Sequence, residues 1–515
     1  MRCKKCLSVL LAAIVMAGAV SAGAILTEPR TVYAEETGAD KESEVVDTRM
    51  KELPNSTEEK EKAKEAAHEM TIATNELTGW PQGPKTYGEG GIVMDAETGA
   101  ILYAKNIDGK AYPASITKVL TMLIALENAK VEDTVTVTQA SVDCVEYGYA
   151  HIALKPDEKI SLKDALNALM LASANEAAYA IGESVGQGYD WFIKEMNERT
   201  RELGGMNSNF LNTNGMDAGE HYTCARDMAL ITRELLKHPE FEEICQTLQY
   251  TIPATNKSQE TRTFQQRHEM FYLDNGIFEV TAGKTGYTDT ALNTLVTCAD
   301  DGNRKLICVV LKTHGRNVYS DTKALLNYGF ENFQNLSIQD SETSKDIKTM
   351  PEDAHVVVPE GVTFDKLKME LVPDAEEKGR AKAVYTYEGN PAGEVDVELS
   401  EEYMKANGEE VTALHPEDGE QKPKEETGIP VWVFGVLGGF GVLIAALIVW
   451  ILIVAHIRKK RREERRRRRE LERKRRVRKT RRKEMHGYRN ESEEGSRNAE
   501  RRRRPQHQRG NYHSR

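Results

Sequence analysis

The amino-acid sequence predicts an α/β (α+β) fold, an antiparallel sheet flanked by helices, followed by a small all-β domain, one transmembrane helix and a basic tail. Three observations carry this expectation. Strand patterns at the two ends of residues 91–312 enclose a run of helical patterns. Beyond residue 337 the texture changes to short strands. Ile429 to Ala455 then contains no charged residue, and 27 residues at about 1.5 Å rise each suffice to cross a bilayer.

From the N-terminus, Arg2, Lys4 and Lys5 precede an apolar stretch, Leu7 to Val20, and then small residues. This is the pattern of a secretory signal peptide over residues 1–34, with cleavage after Ala22, Ala24 or Ala34; an uncleaved anchor is the alternative. Cys3 and Cys6 fall within it, leaving Cys144, Cys224, Cys245, Cys298 and Cys308. An odd number of thiols with no C-x-x-C or Cys/His cluster predicts small buried apolar side chains, with no disulfide framework and no metal site. Residues 35–84 are rich in Lys and Glu, with one modest helical pattern from Glu58 to Met70, and read as an acidic linker or stalk.

The next domain, residues 85–336, opens with a hairpin. Ile92-Val93-Met94 and Ile101-Leu102-Tyr103 flank the turn Ala96-Glu97-Thr98-Gly99. After Ser115 the chain is apolar almost all round, from Ile116 and Val119 to Leu126, which predicts a helix buried in the middle of the domain. Ser161 and Asp164 resemble a capping box, with Leu162, Leu166, Leu169 and Met170 at helical spacing behind them. Glu176 to Ser184, Tyr189 to Leu203 and Ala225 to Leu236 continue the helical patterns. Phe278 to Ala282, Leu292 to Ala299 and Leu306 to Lys312 read as strands, the last two joined by the turn Asp300-Asp301-Gly302-Asn303. A helix from Asp321 to Phe333 closes the domain.

Residues 337–415 form the small β-rich domain, with strands at Val356 to Val358, Leu367 to Leu371, Ala383 to Tyr387 and Val395 to Leu399. Residues 416–428 are a polar linker, and 429–457 the span, followed at once by Arg458-Lys459-Lys460-Arg461-Arg462, which places that side in the cytoplasm. The formal charge of −11 hides an asymmetry: residues 458–515 hold 27 Lys and Arg against 9 Asp and Glu. This basic cytoplasmic tail is a topology determinant with enough charge to hold anionic lipid. Gly435 and Gly439 offer a G-x-x-x-G face for a homodimer within the span. Nucleic acid is not the expected partner.

The chemistry centres on Ser115-x-x-Lys118 at the head of the buried helix. Three residues of helix place the amine beside the hydroxyl, and a hydroxyl needs an adjacent base to become a nucleophile at neutral pH. A second S-x-x-K, Ser320 to Lys323, shows that the motif alone decides little. Only the first is followed by Ser173-x-Asn175, between helices, and Lys284-Thr285-Gly286, on a strand. Together the three elements form the motif set of penicillin-binding proteins and class A β-lactamases.

Residues from about 91 to 330 resemble the serine-type D-alanyl-D-alanine carboxypeptidases, the low-molecular-mass penicillin-binding proteins, on these motifs and on Asn214-Gly215-Met216-Asp217, His221-Tyr222-Thr223 and Arg226-Asp227-Met228. The resemblance implies a β-lactamase/transpeptidase-like fold and a membrane-anchored enzyme, extracytoplasmic, that removes the terminal D-Ala from peptidoglycan stem peptides and is acylated by β-lactam antibiotics. No cofactor or metal is implied. Ser115 would form the acyl-enzyme, Lys118 would be a neutral base, Ser173 would relay a proton, and Asn175 would hold Lys118 and the substrate amide. Lys284 and Thr285 would bind the terminal carboxylate, Gly286 would let the substrate lie close to the strand, and the amides of Ser115 and Tyr287 would form the oxyanion hole.

Glu176, where the family often has Asp, and Ala291-Leu292, where it often has Ala-Gly, depart from the pattern, as does a true span in place of an amphipathic surface helix. Two alternatives share the motifs. A class A β-lactamase would need a deacylating glutamate, and no E-x-x-L-N lies between Asn175 and Lys284. A non-catalytic sensor of peptidoglycan or β-lactams would signal through the span and tail.

Overall fold

Strands whose alternate residues feed two separate apolar layers explain the architecture. The computed structural model describes residues 46–49, 56–145, 147–374 and 377–407. In chain order these form α1 (Thr57–His68), β1 (Gly88–Asp95), β2 (Ile101–Lys105), α2 (Thr117–Asn128), β3 (Thr134–Thr136), α3 (Gln139–Asp143), β4 (Lys159–Ser161), α4 (Leu162–Asn167), α5 (Asn175–Ser184) and α6 (Tyr189–Glu202). They continue with α7 (Ala225–Leu235), α8 (Pro239–Cys245), β5 (Gln249–Ile252), β6 (Arg262–Gln265), β7 (Glu279–Thr288), β8 (Leu292–Asp300), β9 (Lys305–Thr313) and α9 (Asn317–Glu331). The last part comprises β10 (Phe333–Ser337), β11 (Ile347–Thr349), β12 (His355–Pro359), β13 (Lys368–Pro373), β14 (Arg380–Tyr387), β15 (Asn390–Leu399) and α10 (Glu401–Ala406).

The main sheet is antiparallel, ordered β2-β1-β9-β8-β7, which leaves β7 on an edge. On β9, Ile307, Val309 and Leu311 join the core shared with α2, α4, α5 and α7, whereas Leu306, Cys308 and Val310 join a second layer under α9 with Leu325 and Leu326. This period of two is what a sheet covered on both faces requires. Helix α2 is buried from Thr117 to Ala125, as its all-round apolar pattern predicts. The capping box at Ser161 is present: its hydroxyl accepts from Asp164 N, and the Asp164 side chain answers.

Several expectations need correction. Ser115 lies in a short 3-10 turn, Ala114–Ile116, rather than in the first α turn. Strand β7 runs on through Lys284-Thr285-Gly286 to Thr288, because its pairing with β8 continues in register to Leu292. Residues 56–84 are no free stalk. Trp80 is 4% exposed, its Nε1 donates to Leu102 O at 3.0 Å, and Ala67 and Ile72 are buried with it. Too few apolar residues occur here to make a sequence pattern, yet Ile72 and Trp80 join the apolar layer that includes Val93, Leu102 and Tyr103.

The C-terminal β-rich part begins earlier than residue 337, since β10 starts at Phe333 and pairs with β12. It is not all β, because Ser400 caps α10. The order β11-β15-β14-β13 makes a second sheet with its own apolar cluster, Val356, Val358, Ala383, Tyr385 and Val397 among it. That part is nonetheless continuous with the main domain: Arg233 pairs with Glu394 at 2.7 Å, and Glu394 N donates to Thr98 O at 2.8 Å.

Among the described residues no helix is long and apolar enough to cross a membrane. The signal peptide, the linker at 416–428, the span, its G-x-x-x-G and the basic tail all lie outside the described residues.

Candidate active site

The site lies where the head of α2 meets the edge strand β7. Ser115 is partly exposed, and the residue before it, Ala114, holds φ of 50°, a left-handed conformation that costs a non-glycine residue about 1–2 kcal/mol. That turn is over-determined. Thr294 Oγ1 donates to Pro113 O at 2.8 Å, and Thr117 Oγ1 donates to Ala114 O at 2.9 Å. The Thr117 hydroxyl is in turn 3.1 Å from His221 Nε2. Because His221 Nδ1 accepts from Leu211 N at 2.9 Å, its proton must sit on Nε2 and be given to Thr117. Burial pushes the His221 pKa down to about 4, so the ring stays neutral and the relay keeps one direction.

Lys118, 0% exposed, has its Nζ 2.9 Å from Ser115 Oγ, 2.8 Å from Asn175 Oδ1 and 2.7 Å from Asn214 O. Burial, and then the positive charge of Lys284, hold its pKa well below the ordinary lysine range. A neutral amine has two N–H donors and one lone pair. The two carbonyl oxygens take the donors, which leaves the lone pair for the Ser115 hydroxyl proton. This is the geometry of an activated nucleophile.

Asn175 is positioned by an unusual junction. A π turn, Ala168–Ala172, follows α4 and ends at Ser173 with φ 59° and ψ 32°, after which Asn175 starts α5. Ser173 is therefore carried to the site on a strained left-handed backbone, although no hydrogen bond joins it to Ser115 or Lys118. The departure at Glu176 has a structural role: its Oε1 accepts from Ile152 N at 2.7 Å and ties the 150s segment behind α5.

On β7, Lys284 is 1% exposed, and its Nζ donates to Thr285 O at 2.8 Å. Burial, followed by the charge of Arg267, brings its pKa down to about 7. A methyl group at Gly286 would lie 2.9 Å from Ser115 N and 3.1 Å from Ile116 N, so only glycine lets the strand pass this close to the nucleophile. Tyr287, next along, is 57% exposed at the rim. Thus Ser115, Lys118 and Asn175 are in direct contact, and Gly286 packs on the Ser115 amide.

Sequence reasoning assigned no role to Asn214 O, to the Thr117–His221 relay or to Gly215. Gly215 has φ of 84°, and a Cβ there would sit 1.8 Å from Ala114 O. The stretches Asn214-Gly215 and His221 were legible as motifs, but a backbone carbonyl leaves no side-chain signal. Four of the five thiols are buried and all are free; Cys144 is only partly covered, with Asn214 Nδ2 3.9 Å from its sulfur. Among the described residues no group of three His, Cys, Asp or Glu could hold a metal ion.

Part of the chain is similar to known proteins. Residues 80–315 match the peptidase S11 family model, described as D-alanyl-D-alanine carboxypeptidase. D-alanyl-D-alanine carboxypeptidase DacF of Bacillus subtilis is 32% identical over 222 residues, covering 42% of this chain and 56% of that protein. DacA of Haemophilus influenzae is 30% identical over 253 residues, 47% of this chain and 62% of the relative. The chain therefore spans less than two thirds of the length of these two relatives. The crystal structure of the Streptomyces K15 DD-transpeptidase is 28% identical, covering 49% of this chain and all of that one, with a TM-score of 0.45. The S-x-x-K, S-x-N and K-T-G elements all fall within residues 80–315, the span that is similar to the D-alanyl-D-alanine carboxypeptidase family.

Proposed function

We propose that this protein is a serine carboxypeptidase that removes the terminal D-Ala from peptidoglycan stem pentapeptides. The observation that carries this reading is the buried Lys118 amine, 2.9 Å from Ser115 Oγ and held by Asn175 Oδ1 and Asn214 O. Ser115 Oγ attacks the carbonyl between the two D-alanines as its proton passes to Lys118 Nζ. The tetrahedral oxyanion is held by the amides of Ser115 and Tyr287. Collapse breaks the peptide bond, the leaving amine takes a proton through Lys118 with Ser173 as relay, and D-Ala departs. Water, deprotonated by the same lysine, then releases the shortened peptide and restores Ser115.

Asn175 orients Lys118 and the substrate amide. Lys284, with a pKa near neutrality when empty, takes up a proton as the terminal carboxylate arrives, and Thr285 adds a hydroxyl. A β-lactam carries a carboxylate and a strained amide in the same relation, so it acylates Ser115 and stays. The chain is anchored by residues 429–457, with the catalytic domain extracytoplasmic and the basic tail on anionic lipid of the cytoplasmic face.

The test is release of free D-Ala from a pentapeptide by the full-length chain, compared with Ser115→Ala. Release by the wild type and none by the variant is expected; no release by a folded wild type would refute the reading.

A further inference from the structure

The roles given to Ser115 and Lys284 set the direction in which a peptide lies on β7. Its scissile carbonyl sits by Gly286, which packs on the Ser115 amide, and its terminal carboxylate lies toward Lys284. The bound peptide therefore runs opposite to β7, along a free sheet edge. Its upstream residues must pass Tyr287 and leave the site by Asp289. At that end a groove of about 560 Å³ opens, walled on one side by Tyr287, Asp289, Leu292 and His314 and on the other by Lys60 and Lys64 of α1.

We infer that helix α1 completes an extended subsite for the carboxylate-bearing upstream part of a stem peptide, with Lys60 and Lys64 as its cationic wall. The inference deepens the carboxypeptidase reading above and rests on it. Helix α1 lies before the span that matches the family model, which begins at residue 80. The helix is held firmly. Lys105 Nζ, fully buried, donates to Ala67 O at 2.7 Å, and His68 stacks on Tyr87 with ring centroids 4.6 Å apart. Tyr87 is itself fixed by its N–H, which donates to Asp321 Oδ2 at 2.9 Å.

The lysines are available for a ligand. Lys60 has no ion-pair partner among the described residues, and Lys64 is loosely paired with Glu61, at 3.6 Å, over the Tyr87 ring. The acidic groups facing the groove are Glu61, 3.6 Å from Lys64 and mostly exposed, and Asp289, which accepts from the Tyr287 hydroxyl at 3.2 Å. His314 Nε2 is buried with no hydrogen-bond partner among the described residues, an unused polar atom in a groove-lining side chain. Tyr287 and Leu292 supply apolar contact for the aliphatic part of the peptide.

The test uses the full-length chain and two substrates ending in D-Ala-D-Ala: an N-acetylated tripeptide, and the pentapeptide that carries the upstream carboxylate. The readout is the ratio of kcat/KM for the long substrate over the short one. In the double variant Lys60→Glu, Lys64→Glu this ratio falls about fivefold, as expected when two half-exposed attractions become repulsions. The pair Lys60→Arg, Lys64→Arg restores it to within about twofold. An unchanged ratio, including equal losses on both substrates, overturns the inference while the carboxypeptidase reading stands. A wild type that cleaves neither substrate refutes that underlying reading instead.

Discussion

Gly215 gives the sharpest mechanistic test, because its surroundings separate backbone strain from displacement of the nucleophile. Gly215→Ala places a methyl carbon 1.8 Å from Ala114 O and 2.4 Å from Ala114 C. A carbon and a carbonyl oxygen ordinarily approach to about 3.3 Å, so some 1.5 Å of separation must be opened. The loop cannot simply retreat. Gly215 N donates to Asn212 Oδ1 at 2.7 Å, and Asn214 O is one of the two oxygens holding Lys118.

Either the Ala114–Ser115 turn moves, or Lys118 loses a carbonyl and its lone pair turns away from Ser115. A misplacement of about 1 Å costs on the order of 100-fold in rate, or about 2.7 kcal/mol. The positive φ of 84° adds about 1–2 kcal/mol of folding cost. Gly219→Ala is the control. It lies in the same loop with φ of 49°, but nothing comes within 4 Å of an added Cβ. The assay is the second-order rate of acylation by a fluorescent penicillin, with denaturant midpoints measured in parallel. Both variants should lose stability, Gly215→Ala the more, and only Gly215→Ala should lose acylation. A Gly215→Ala protein that folds and acylates within threefold of wild type would refute the argument.

Other predictions follow from the same structure. In the pH profile of kcat/KM, activity falls on the acid side as Lys118 takes up a proton, at a pH well below the ordinary lysine range. Lys284, with a pKa of about 7, loses its charge above neutrality, so KM for a carboxylate-bearing substrate rises there; an acid limb shared with Lys118→Arg would contradict the assignment. Ser173→Gly removes the left-handed strain, so it should raise stability by up to about 1 kcal/mol while lowering D-Ala release, read by thermal unfolding and product assay. Trp80→Ala empties a buried site and an indole hydrogen bond, and should cost about 3–5 kcal/mol in a urea titration. Benzylpenicillin should label the protein stoichiometrically and be released slowly; rapid turnover would favour a β-lactamase.

Much of this was legible before any coordinates, and the rest was hidden for physical reasons. The β1–β2 hairpin, the buried helix α2 and the Ser161 capping box follow from local patterns, because period and caps are local properties. Ser115, Lys118 and Asn175 could be grouped because their chemistry is rare in combination. Asn214 O could not, since every residue has a carbonyl and only the fold says which one points at Lys118. Helix α1 looked like a stalk because a helix with one buried residue, Ala67, has almost no apolar stripe. Its docking rests on Lys105, whose stem is buried 38 residues further on. The apolar pattern of β7 stops at Ala282, but the strand continues because Gly283 and Gly286 admit His268 and Ser115 against it.

The central claim is that Ser115, activated by a neutral Lys118, forms a covalent acyl-enzyme. It is tested most directly by trapping the full-length chain with benzylpenicillin and mapping the adduct by peptide mass spectrometry. The account predicts a single adduct on the peptide containing Ser115, absent in Ser115→Ala and formed at least about 100-fold more slowly in Lys118→Ala, the scale of losing a general base. An adduct on another residue, or unchanged labelling in Lys118→Ala, would contradict it.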